Sequence, residues 1–184
     1  MKATDVYREA RAVLTPWCKK HGFKRTRGAT LGWTKCVGEA HLFFWLQVSQ
    51  DGWDPHAGSK FVVEFQRSCG PRMFDASHET LRYRLPHFLT EDELGRVRSM
   101  QNNIIQRLTR PPRDYFVYQM NADIVSWYVK KFDQVEASYR KEDDIWFRYH
   151  EPTDVRCWAE FVLAVIPRVI HELGKRPRPT GARS

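Results

Sequence analysis

Between residues 46 and 68 the chain reads LQVSQDGWDPHAGSKFVVEFQRS. Asp51, Asp54 and His56 fall in a turn-rich segment, and Glu64 and Gln66 follow on a run with strand character. One carboxylate before a returning strand and a second on it is a donor set that could hold a divalent ion and position water for hydrolysis. Asp54 and Glu64 are the candidate carboxylates, with Gln66 standing where a cation would assist. Three features weigh against that chemistry. Asp54 precedes Pro55 in a loop, Gln66 is neutral, and Asp51-Gly52 and Asp54-Pro55 are ordinary turn dipeptides.

The elements that must position these residues are strands. Residues 30–37 (TLGWTKCV), 41–50 (HLFFWLQVSQ) and 60–68 (KFVVEFQRS) alternate in polarity and are separated by turn residues, which predicts an antiparallel meander. Leu42, Phe44, Leu46 and Val48 share one face with Phe61, Val63 and Phe65, and that face is core. His41, Phe43, Trp45, Gln47 and Ser49 share the other with Val62, Glu64 and Gln66. Residues 144–150 (DIWFRYH) read as a late strand that adds Trp146, Arg148 and His150 to this second face. Aromatic anchors beside polar orienting groups are what a contact face needs. Trp45, Gln47, Glu64, Gln66, Trp146 and Arg148 are therefore the candidate binding residues. The competing reading is that helices cover the aromatic part.

Helices surround this sheet. Thr4 or Asp5 can cap a first helix carrying Val6, Ala10, Val13, Leu14, Trp17 and Cys18 at helical spacing, with Pro16 expected to kink it or split off its last turn and Gly22 to stop it. Thr90-Glu91-Asp92-Glu93 is a capping box that opens a second helix. Residues 122–132 predict another. A last helix runs from about residue 154 to 173 and is closed by Gly174. The fold class expected is α+β: an antiparallel β-meander packed by an N-terminal helix and a C-terminal helical region. Residues 1–174 read as one domain, sheet-rich over 1–70 and mainly helical over 75–174, with 175–184 a disordered basic tail.

The chain has 184 residues, 28% charged and 14% aromatic, with a formal net charge of +8. Eight Lys and Arg against two acids give residues 1–28 a local excess of +6. Lys19, Lys20, Lys24, Arg25 and Arg27 form the densest cluster, a candidate nucleic-acid contact or a solvated helix end. Four scattered cysteines show no zinc-ligand spacing, and no apolar run is long enough to span a membrane, which points to a cytoplasmic protein with free thiols. Phosphate-loop, H-E-x-x-H and G-x-S-x-G signatures are absent. No cofactor is implied, and the failed motifs lean against an enzyme.

The segment LTPWCKKHGFKRTRGATLGWTK, residues 14–35, resembles the opening of a group of bacterial proteins, domain-of-unknown-function family 4304. The likeness rests on Leu14, Pro16, Gly22, Phe23, Lys24, Trp33, Gln47 and Ser49 and covers residues 5–68. That group has no established activity. In size and layout it is similar to small bacterial proteins that neutralise toxins, a link by analogy. The Asp54, Glu64 and Gln66 set is similar instead to metal-dependent nucleases of the restriction-enzyme type.

The sequence thus points to a non-enzymatic protein-interaction module with a toxin-neutralising or regulatory role. A protein is the expected partner, and a membrane is not. The alternatives are nucleic-acid binding through the basic cluster and, behind it, a metal-dependent nuclease.

Overall fold

A computed structural model describes residues 1–73, 80–109 and 138–175. The expected helix over 122–132 and the tail beyond residue 175 lie outside the described residues. The architecture is α+β. Among the described residues an antiparallel sheet runs in the order β1 (Lys24–Arg25), β2 (Leu31–Val37), β3 (Ala40–Val48), β4 (Ser59–Ser68) and β5 (Leu81–Arg84). A sixth strand, β6 (Phe147–Tyr149), pairs with the first part of β4, while β5 pairs with the last part. Among the described residues three helices accompany it: α1 (Ala3–Lys20), α2 (Glu91–Arg107) and α3 (Pro152–Lys175).

Register follows the alternation. Leu46 pairs with Val63, Phe44 with Phe65 and Val48 with Phe61, so these side chains share one face, as expected. They merge with Val6, Ala10 and Leu14 of α1 and Val155, Trp158, Val162, Ile166 and Val169 of α3 into one apolar core. Phe44 is its centre, stacked between Trp33 and Phe65 at ring separations of 4.9 and 5.9 Å.

The helix ends explain where the chain turns. Lys2, not Thr4 or Asp5, precedes α1, and Asp5 works from inside the first turn by accepting the Lys2 backbone N–H at 2.9 Å. Pro16 lies within a continuous helix instead of splitting it. Gly22 has φ +76°, and Phe23 N–H bonds back to the Cys18 carbonyl at 2.8 Å while Gly22 N–H bonds to Lys19. This left-handed glycine cap returns Phe23 onto Trp17, 5.7 Å away. The α2 capping box forms as the sequence predicts, Thr90 with Glu93. Gly174 does not close α3, which continues through Lys175.

Two elements were not foreseen. The basic residues after Gly22 include a two-residue edge strand, β1, and β5 falls in the region expected to be mainly helical. A 3₁₀ turn at Leu85–Phe88 then leads into α2.

Candidate functional site

The second face of the sheet is built from pairs in direct register. Gly32, Trp45, Glu64 and Arg84 form one row across β2 to β5, and Thr34, Phe43, Gln66 and Arg82 form the next. Gly32 is needed where it stands: a Cβ there would lie 2.9 Å from the Trp45 Cβ, so its absence leaves room for the indole. Trp45 is fully buried, as are Phe43, Val62 and Gln66, and Glu64 is 3% exposed. Both faces of β3 and β4 are therefore interior. Of the six candidate binding residues, Trp45, Glu64 and Gln66 are buried, whereas Gln47, Trp146 and Arg148 are half-buried.

A buried carboxylate demands charged partners. Glu64 has two: the Arg82 Nε donates to Oε2 at 2.7 Å, and the Arg84 Nε lies 3.4 Å from Oε1. Each arginine also meets an aromatic ring. The Arg82 guanidinium carbon is 5.1 Å from the Trp45 centroid, and that of Arg84 is 5.2 Å from Trp146. Arg84 further pairs with Asp144, whose other oxygen accepts the Trp146 indole N–H at 3.2 Å. The Lys60 ammonium also stands over Trp146, at 5.2 Å, and contacts Asp51 at 3.5 Å. The network grades from a buried end to a wet one: the side chain of Glu64 is 4% exposed, Arg84 33%, Arg82 47% and Asp144 67%. Its outer end presents the Trp146 indole together with three cations, Lys60, Arg82 and Arg84, and two carboxylates, Asp51 and Asp144, that pair with them.

Arg148 belongs to the same face, opposite Lys60. Burial pushes its guanidinium below the usual arginine range, against an opposing pull from Tyr139. Its backbone is equally engaged. The Gln101 carboxamide accepts the Arg148 N–H at 3.2 Å and donates to the Trp146 carbonyl at 2.8 Å. The Trp158 indole donates to the Arg148 carbonyl at 2.6 Å, and Asp154 accepts the His150 N–H at 2.8 Å. Side chains thus take up the outward backbone groups of β6, so this edge cannot accept an added strand.

The residues of the hydrolytic reading are occupied otherwise. Asp54 Oδ1 accepts the N–H groups of His56 and Ala57 at 2.7 and 2.8 Å, closing its own loop. The Gln66 amide donates to the Arg72 carbonyl at 2.9 Å and to Ser68. Among the described residues no group of three His, Cys, Asp or Glu stands close enough to hold a metal ion. The loop itself is docked: Trp53 donates to the His150 carbonyl at 3.0 Å, and the His150 ring meets the Pro55 carbonyl at 2.8 Å.

Lys19, Lys20, Lys24, Arg25 and Arg27 are all exposed. They do not share one face. Lys24 pairs with Thr34 and lies on the second face, whereas Arg25 pairs with Trp33 and lies on the helix side. There Arg25 donates to the Gly32 carbonyl at 3.0 Å, and burial followed by the nearby Arg11 charge lowers its proton affinity.

Sequence reasoning missed Lys60, Arg82, Arg84 and Asp144. The signal was the alternation Arg82-Tyr83-Arg84, which puts two cations on one side of any strand. No helix among the described residues is long and apolar enough to cross a membrane. No family model, no curated protein and no solved structure matches this chain.

Proposed function

We propose that this chain is a non-enzymatic protein-interaction module whose contact surface is the outer end of the second face. Trp146 is the anchor, and Lys60, Arg82 and Arg84 orient the partner. The carrying observation is the half-buried Trp146 ring with Lys60 and Arg84 both held over it at 5.2 Å. Trp and Arg dominate interface hot spots because they combine a large apolar area with fixed donors. The buried Glu64 pre-positions both arginines, so less side-chain freedom is lost on binding. Lys60 and Arg84 over the Trp146 ring, with Arg82 in the neighbouring row, select a partner with a recess for the ring and carboxylates that join the pairs these cations make with Asp51, Glu64 and Asp144. Binding is then the activity, as in a protein that neutralises or regulates its partner.

One observation favours a second reading. All five residues of the N-terminal basic cluster are exposed, which is what phosphate contact requires. Lys24 and Arg25 lie on opposite faces of the sheet, which makes it the weaker reading.

Native capture of the full chain from its own host, at low and at moderate salt, separates the two. The interaction reading expects one protein in stoichiometric amount that survives moderate salt. Nucleic acid alone, lost as salt rises, would overturn it.

A further inference from the structure

The β2–β3 hairpin carries chemistry that the contact surface does not use. Val37 pairs with Ala40 around the two-residue turn Gly38-Glu39, and the next pair inward is Cys36 with His41. Directly opposed residues share a face, so the thiol and the ring are brought together by register alone. Cys36 Sγ lies 3.4 Å from His41 Nδ1 and 4.0 Å from Nε2. Cys36 is exposed, and the half-buried His41 ring stacks toward Phe43 at 6.2 Å.

Two other thiols, Cys69 and Cys157, are also exposed, but no histidine bonds to either among the described residues. Cys18 is the opposite case: buried, with its thiol pushed up to about 12 by desolvation. Among the described residues, one exposed thiol has an imidazole beside it, two do not, and the fourth thiol is buried.

We propose that Cys36 and His41 form a site of reversible S-thiolation, at which Cys36 takes up half of a low-molecular-weight disulfide. His41 accepts the thiol proton, and the thiolate attacks one sulfur of the disulfide. The S–S bond of the reagent breaks as the new one to Cys36 forms, and the departing thiolate takes the proton from the imidazolium. Cys36 is oxidised and the departing half is reduced, so no further oxidant is needed. Ser68 stands opposite His41 on β4, and Lys24, on β1 beside β2, lies one row along from Cys36 on the same face. Lys24 adds positive charge to that face and favours an anionic disulfide.

The mixed disulfide has no internal resolving partner: Cys18 is buried in the core, and Cys157 lies on α3, which packs against the core face of the sheet, opposite Cys36. Cys69 follows Ser68, which lies two strands from Cys36, about 9–10 Å across the sheet. That exceeds the Cα separation a disulfide tolerates, roughly 7 Å. Release then needs an external thiol, which makes the modification reversible by reductant and stable without it.

Glutathione disulfide is the probe. The full chain is exposed to it at pH 7, and modification of each cysteine is followed by peptide mass mapping. Cys36 should react at least about fivefold faster than Cys69 and Cys157 in the same molecule. That comparison needs no variant. His41→Gln, which keeps a polar side chain but cannot take the proton, should slow Cys36 to the rate of the other two and steepen its dependence on pH between about 6 and 8. Equal rates at the three thiols, or a Cys36 rate and pH profile unchanged in His41→Gln, would overturn the proposal.

Discussion

The Arg84 guanidinium carbon lies 5.2 Å from the centre of the Trp146 ring. That pair joins two strands that never hydrogen-bond to each other. β5 and β6 both lean on β4, one on each part of its length. Trp146, just before β6, therefore meets β5 through its side chain. A cation over a partly exposed indole contributes about 0.5–1 kcal/mol. A double-mutant cycle of Arg84→Ala and Trp146→Ala, read by urea unfolding, should return a coupling of that size. Additive effects would mean that the stacking does not hold the surface together.

Gln101 acts as a substitute strand for β6. Its carboxamide completes both the Arg148 N–H and the Trp146 carbonyl. Gln101→Ala leaves these groups without their partner and should cost about 2 kcal/mol. Amide exchange at Arg148 should accelerate before the core strands respond. Exchange unchanged at Arg148 would show that the bond to Gln101 does not protect this edge.

Gly58 closes the loop that separates β3 from β4. Its φ is +65°, and an added Cβ would collide with the Tyr149 carbonyl oxygen. Gly58→Ala should destabilise the fold by on the order of 3 kcal/mol, since the backbone on both sides must shift. Gly95, on α2 with open space around it, is the control: Gly95→Ala should stabilise slightly. A similar melting temperature for the two variants would contradict this account of the loop.

Glu93 supplies a pH dependence. Burial pushes its carboxyl up, but the backbone N–H of Thr90 and the Arg168 guanidinium more than offset this, and the net direction is down. A depressed carboxyl contributes stability that is complete above its unfolded value, near 4.5, and is lost as pH falls through the lower folded value. The chain should therefore lose stability on acidification below about pH 4.5. Glu93→Gln should be less stable at pH 7 and should lose less between pH 5 and 3. Parallel pH curves for the two proteins would remove Glu93 from the explanation.

Much of this fold was legible. The meander, its core face and the α2 cap follow from alternation and from Thr90 and Glu93 at capping distance. Gly22 and Phe23 announced the end of α1 because a positive φ followed by an apolar residue is a local instruction. β1 and β5 were not legible. Each is stabilised by its neighbour, β2 or β4, more than by its own two or four residues. The site divides the same way. The Trp146 and Arg148 alternation could be read from the chain, whereas the Glu64 pairing with Arg82 and Arg84 depends on register across an unforeseen strand. Burial of Trp45 agrees with the competing reading that the aromatic part of this face is covered; alternation alone does not choose between the two, because it is the same whether that face is wet or covered.

The most direct test of the central claim is native capture at moderate salt with three proteins: wild type, Trp146→Ala, and the charge reversal of Lys24, Arg25 and Arg27. Wild type and the charge-reversed protein should retain the same stoichiometric partner. Trp146→Ala, still folded by circular dichroism, should lose it by about 30-fold or more in affinity. Retention by Trp146→Ala together with loss in the charge-reversed protein would contradict the account and move the contact to the basic edge.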